Sequence, residues 1–276
     1  MSGWRIGGAS VRGAAHVRND QPNQDALRWD PGAEVGCRVV GALADGHGSA
    51  AHFRSDIGAR FAVDSAAELI GRHLEDEGAG AGEAALAGEI LRLWRSRVER
   101  HLIAHPLDTL DILLLNGSPY TPYGATLVAV GANDDRIVIL QIGDGDLILG
   151  FADGRIERPL PPDEGLSGEQ TWSLCLDGAE RRFRWAAISR TDEDPAPDFV
   201  MLVSDGVSKS FRDETALETA VRELRRRAHE DWEGALAALS PWLKLLSELG
   251  SGDDSTACLA VRTGGSSNSG GETSHG

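Results

Sequence analysis

The sequence predicts an α+β protein in which antiparallel sheets carry helices on their outer faces. Three observations predict it. Apolar, strand-like runs follow one another across short turns such as Gly131-Ala132-Asn133-Asp134-Asp135, which is hairpin spacing. Helical periodicity comes in two pairs, one early and one late, rather than alternating with every strand as a parallel βαβ sheet requires. No linker-like segment divides residues 3–263, so one domain is expected there, followed over 264–276 by a Gly/Ser-rich tail without apolar side chains, read as disordered.

The elements follow in order. Residues 5–11 and 26–29 read as short strands around a loop rich in Asn, Asp, Gln and Pro, and 38–43 as a mostly apolar strand. Residues 50–72 read as a helix, with Phe53, Ile57, Phe61, Ala62, Leu69 and Ile70 close to helical spacing. A loop is expected at 75–82. A second helix over 83–104 has Leu86, Ile90, Leu93, Trp94, Val98 and Leu102 along one face and Pro106 just past its end. Strand signals then dominate: 125–130 and 136–142 form a hairpin, and 146–151 and 155–157 flank the turn Ala152-Asp153-Gly154. Residues 172–176, 183–188 and 200–203 continue the strand pattern. Helices over 213–228 and 232–249, the second bent at Pro241, precede a final strand at 257–261.

Composition limits the function classes. With 276 residues, 41% hydrophobic and 25% charged, the chain is ordinary for a globular protein and can bury a core without disulfides. Cys37, Cys175 and Cys258 are far apart, odd in number and outside any metal-thiolate spacing; Cys175 and Cys258, in apolar runs, read as small buried hydrophobes. The N-terminal MSGWRIGGAS has no apolar signal core and no run of 18 apolar residues occurs, so a soluble, reducing, cytoplasmic setting without membrane contact is expected. A formal net charge of -16 disfavours nucleic acid. It does not exclude a phosphorylated substrate, because bound divalent cations invert the local sign.

Short carboxylate motifs carry the chemistry. In the segment 42–49, ALADGHGS, an apolar run ends in Asp45-Gly46-His47, which can point a carboxylate and a backbone carbonyl at one cation and set an imidazole beside it. Asn23-Gln24-Asp25, Ile142-Gly143-Asp144 and Val203-Ser204-Asp205-Gly206 repeat the design, and Gly252-Asp253-Asp254-Ser255-Thr256 stands just before a strand. Any one of these is also an ordinary Asp turn. Together they supply short, hard oxygen ligands suited to Mg²⁺ or Mn²⁺. Two such ions, about 3.5–4 Å apart, can clamp a phosphoryl group for in-line displacement.

In their order and spacing, GAAHVRNDQPNQDA, ALADGHGS, YGATLVAV, QIGDGDLIL, VMLVSDGVS and GDDSTACLAV resemble the metal-dependent type 2C protein serine/threonine phosphatase family over nearly the whole chain. The resemblance implies a four-layer αββα sandwich, two antiparallel sheets flanked by helix pairs, with a binuclear Mn²⁺ or Mg²⁺ site at one edge. It implies that Asp45 bridges the metals, the Gly46 carbonyl serves the second, Asp205 and Asp253 hold the first, and Asp25 supports the second directly or through water. A metal-bridging water would attack phosphorus, and His47 would protonate the leaving seryl or threonyl oxygen. His16 and His52 match no role in the pattern and read as ordinary histidines. The family pattern places the ligand three residues before the threonine, which selects Asp253 over Asp254. Thr126 and Thr256 are assigned to packing or supporting hydrogen bonds.

The chain also departs from the family pattern. Asp20 stands where members often carry a phosphate-binding arginine, so Arg18 or Arg12 is expected to take that role. Gln24 replaces a common Glu and leaves a carbonyl oxygen. Asp144, which contributes to a third, weaker metal in some relatives, is present, but Lys209 stands where its acidic partner usually lies, so the third metal is expected to be absent or weak. A variable flap, holding Trp172 and Trp185, is expected between 150 and 199. The implied partners are phosphorylated proteins and a separately encoded serine/threonine kinase. The rival reading is a catalytically inactive phosphatase fold serving as a binding or scaffold module.

Overall fold

The computed structural model describes residues 3–32, 35–75, 82–115, 118–163, 171–190 and 196–264. All but residues 75, 82 and 264 of the expected loop at 75–82 and tail at 264–276 lie outside this range. In chain order the elements are β1 (Gly3–Val11), α1 (Ala14–Arg18), β2 (Ala26–Asp30), β3 (Arg38–Ala44), α2 (Ser55–Glu75), α3 (Glu83–Ala104), α4 (Thr109–Leu114), β4 (Leu127–Asn133), β5 (Arg136–Ile142), β6 (Asp146–Gly150), β7 (Ile156–Glu157), β8 (Arg184–Ser189), β9 (Phe199–Val203), α5 (Asp205–Ser208), α6 (Glu214–Glu230), α7 (Trp232–Leu249) and β10 (Ser255–Thr263).

Two five-stranded antiparallel sheets result, ordered β1-β10-β9-β6-β7 and β2-β3-β4-β5-β8. Helices α2 and α3 lie on the second sheet and α6 and α7 on the first, which makes the expected αββα sandwich. Three apolar layers hold it together. Between the sheets lie Ile6, Leu43, Val130, Ile139, Leu149, Leu202 and Cys258. Alternate residues of the same strands turn outward: Ala42, Ala129 and Leu140 meet α2 and α3, while Met201, Val203 and Leu259 meet α6 and α7. Both faces of each central strand are thus apolar, which is why these strands read as continuous runs rather than as polar–apolar alternation.

The expected helices at 83–104 and 232–249 form with those bounds, and α7 continues through Pro241. Five short pieces lie outside the expected elements: α1, α4, α5, and 3-10 turns at Thr121–Tyr123 and Ala179–Arg181. Each is too short to show a helical period. The helix expected at 50–72 instead opens with a separate 3-10 turn, Ala50–His52, before α2 begins. The strand expected at 172–176 is a turn. Its apolar pattern has another cause: Leu174 and Cys175 are buried against the α2–α3 side of the second sheet, while Leu174 N–H donates to the Ala125 carbonyl at 3.0 Å and the chain closes on itself from Leu176 N to Ser173 O. No helix among the described residues is long and apolar enough to cross a membrane.

Trp94 anchors the outer layer on the second sheet. It is fully buried, and its Nε1 donates to the Gly58 carbonyl of α2 at 2.9 Å. Trp94→Ala is expected to cost about 3–5 kcal/mol, read from urea denaturation; a loss below about 1 kcal/mol would contradict this packing.

Candidate active site

Strand pairing brings the carboxylate motifs to facing sheet ends. In the second sheet Ala26 pairs with Ala44, so Asp25, just before β2, and Asp45, just after β3, flank adjacent strand ends. In the first sheet Ala257 pairs with Val203, which sets Asp253 and Asp254, before β10, beside Asp205, after β9. Asp144 follows β5 by two residues.

Backbone contacts fix each turn. Asp45 N–H donates to Thr126 Oγ1 at 3.1 Å and the Asp45 carbonyl accepts from Thr126 N–H at 2.9 Å. Thr256 N–H donates to Ser204 Oγ, and Thr256 Oγ1 donates to Asp25 Oδ2 at 2.6 Å, so Thr256 holds a carboxylate and Thr126 holds the Asp45 backbone. Gly206 is required by a close approach: a Cβ there would stand 2.0 Å from the Asp254 carbonyl oxygen. Asp254 is nearly inaccessible and committed to structure. Its Oδ1 accepts from Gly13 N–H at 2.6 Å, its Oδ2 accepts from Gln24 N–H at 2.7 Å, and His16 Nδ1 lies 2.9 Å from Oδ2. Asp253, half exposed, faces the cleft instead.

A cleft of about 720 Å³ opens between these ends, lined by Asp45, Gly46, His47, Asp144, Asp205, Lys209, Asp253 and neighbours. Its electrostatics are set first by burial and then by like charge. Burial, opposed by the Thr256 hydrogen bond and reinforced by the charges of Asp254 and Asp205, pushes the Asp25 carboxyl up to about 8. Burial and the charges of Asp25, Asp205 and Asp253 hold Asp45 well above the ordinary carboxylate range. Asp25 and Asp45 are thus buried beside other carboxylates, whose charges raise their proton affinity further. Burial and the adjacent His52 ring, 4.9 Å away centroid to centroid, bring His47 down to about 4 against the pull of Asp144. Burial also acts against the Lys209 ammonium, yet the hydrogen bond and charge of Asp205, with Asp144 and Asp45 behind it, hold it above the ordinary lysine value.

Among the described residues no three His, Cys, Asp or Glu side chains are gathered closely enough to coordinate one cation as they stand. The carboxylates have taken other partners: Asp25 accepts from Thr256, Asp205 from Lys209, and Asp253 Oδ1 from Asp254 N–H. Three buried oxygens, Gln24 Oε1, Asp25 Oδ1 and Asp205 Oδ1, accept no hydrogen bond at all.

The two arginines expected to grip phosphate, Arg12 and Arg18, are not among the residues lining the cleft. Arg12 donates to the His16 carbonyl at 3.1 Å and pairs with Asp20 at 3.6 Å. Conversely, His16 and His52, read from the sequence as ordinary, both line the cleft. The GAAHVRN pattern could not reveal this for His16, because α1 is placed by contacts such as Gly13 to Asp254, 241 residues away. Cys37 is exposed, whereas Cys175 and Cys258 are buried as expected.

A family model described as protein phosphatase 2C matches residues 12–244. Serine/threonine-protein phosphatase 3 of Escherichia coli (strain K12) is 26% identical over 183 residues, 65% of this chain and 66% of that protein, so the match spans just under two thirds of that relative's length. Among solved structures, the catalytic domain of the serine/threonine protein phosphatase PstP in complex with two manganese ions is 21% identical, with a TM-score of 0.55 over 96% of this chain and 100% of that one. The Mycobacterium tuberculosis phosphatase PstP/Ppp is 19% identical, with a TM-score of 0.60 over 95% and 100%. These structures share the two-sheet sandwich. With most of its length matched by the family model, this chain belongs to the protein phosphatase 2C family.

The carboxylate cluster sets a stability prediction for the metal-free protein. Because Asp25 and Asp45 hold protons in the fold that they lose in the unfolded chain, the native state binds more protons between the ordinary value of 3.8 and about 8. Stability therefore falls as pH rises through that window. The melting temperature without metal should be lower near about pH 8 than near about pH 5, and Asp25→Asn should flatten the difference. A melting temperature that rises across the window would contradict the assignment.

Proposed function

We propose that this chain is a metal-dependent protein serine/threonine phosphatase that hydrolyses phosphoserine and phosphothreonine with two Mn²⁺ or Mg²⁺ ions. One observation carries the reading: strand pairing brings Asp25, Asp45, Asp205 and Asp253 to facing sheet ends, and three buried oxygens there, on Gln24, Asp25 and Asp205, accept no hydrogen bond. Hard oxygen donors in that state fit hard divalent cations. Asp45 would bridge the pair, Asp205 and Asp253 would hold one ion, and Asp25 with the Gly46 carbonyl would hold the other. When bound, the ions supply an acidified water as nucleophile and neutralise phosphoryl charge.

The chain's own residues do the rest. Asp45, on the Thr126 turn, is fixed in place by two backbone-level hydrogen bonds. His47 donates a proton to the leaving seryl or threonyl oxygen. Burial and His52 lower the proton affinity of His47, and an arriving phosphate dianion acts in the opposite sense. No covalent intermediate is needed: no cysteine is among the described residues lining the cleft, and burial pushes the Cys258 thiol up to about 12. A single catalytic domain over 3–263, phosphorylated protein substrates, a partner serine/threonine kinase and a cytoplasmic setting belong to the same proposal. The retained Asp45, Asp205 and Asp253 weigh against an inactive scaffold.

Asp45→Ala or Asp205→Ala should abolish hydrolysis of p-nitrophenyl phosphate, and EDTA should do so reversibly with Mn²⁺; full activity after either treatment would overturn the proposal. His47→Asn should slow a phosphoserine peptide by about 10²–10⁴-fold. It should slow p-nitrophenyl phosphate far less, because that leaving group departs without a proton. Equal losses on both substrates would remove His47 from the proton-donor role.

A further inference from the structure

A doubly charged phosphate calls for a positive donor within reach, and neither Arg12 nor Arg18 lines the cleft. Among the described residues that line it, Lys209 is the one lysine or arginine. Its position follows from local geometry. Lys209 caps α5 four residues after Asp205, the spacing that stacks two side chains on one helix face. Its Nζ donates to Asp205 Oδ2 and lies 3.8 Å from Asp144 Oδ2. The side chain is 58% exposed, so packing does not lock the head group, and an ammonium on a flexible stem has three donors to place. Of the three histidines lining the cleft, His47 is assigned to the leaving oxygen, His16 lies against Asp253 and Asp254, and His52 Nδ1 lies against the Thr121 carbonyl.

Resting on the phosphatase reading above, we propose that Lys209 is a phosphate-binding residue, whose ammonium leaves Asp205 to donate to a non-bridging oxygen of the substrate phosphate. The exchange follows from charge. In the metal-free cleft the ammonium neutralises Asp205. A cation on Asp205 takes that carboxylate's charge and repels the ammonium, and the phosphate is then the strongest acceptor within its reach. Lys209 therefore stands in for the arginine missing at Asp20. It also sets a positive charge beside Asp144, where a further divalent ion would be disfavoured.

The test uses the Mn²⁺-loaded full chain, Lys209→Met to remove charge at similar length, and Lys209→Arg to keep it. Lys209→Met should raise KM for p-nitrophenyl phosphate and weaken inorganic phosphate binding, followed by calorimetry, each by about tenfold or more. Lys209→Arg should restore most of both. Unchanged KM and phosphate affinity in Lys209→Met, or an equal loss in Lys209→Arg, would overturn the assignment while wild-type hydrolysis stands. Wild-type protein that neither hydrolyses the substrate nor binds Mn²⁺ would overturn the phosphatase reading and this inference with it.

Discussion

The burial of Asp25 and Asp45 beside other carboxylates is the constraint on which the rest of the structure turns. Two sheets that meet face to face could end in neutral loops; here each contributes carboxylates at strand ends that face the other sheet. Raised proton affinity at Asp25 and Asp45 is the physical record of that choice. The surrounding groups keep the cluster in place despite its charge. Asp254, spent on the backbone of Gly13 and Gln24, ties the first loop to the last. A relay from Asn23 through Ser10 and Thr256 reaches Asp25. Gly206 lets the two acidic turns of the first sheet touch.

On the proposed function, that arrangement lets an acidic chain serve a phosphorylated substrate. Left alone, the cleft would repel a phosphate dianion, since several carboxylates face one lysine. Divalent cations reverse the sign, and the same carboxylates that repel one another become the reason to bind them. Lys209 fits this balance as the chain's own cation, sitting on Asp205 until a metal displaces it.

Much of this was legible in the sequence, for identifiable reasons. The long helices α3 and α7 announce themselves because an apolar stripe is repeated over several turns. The central strands appear as apolar runs because both of their faces are covered. The carboxylate motifs stand out because each follows or precedes such a run. What failed had local causes. Residues 172–176 look like a strand because Leu174 and Cys175 are buried, but burial alone does not choose between a strand and a packed turn. α1 buries no residue of its own and is held by partners near the other end of the chain, so neither it nor the place of His16 could be read from a window of neighbours. Lys209 was visible as a misfit, but its contact with Asp205 and its place on the cleft wall needed the fold.

The most direct test of the central claim is a calorimetric titration of the metal-free protein with Mn²⁺ near neutral pH, repeated in buffers of different ionisation enthalpy. The account predicts binding of two ions with net proton release, because carboxyls held protonated by burial and repulsion must ionise to serve as ligands. Binding without proton release, or no binding at all, would contradict it.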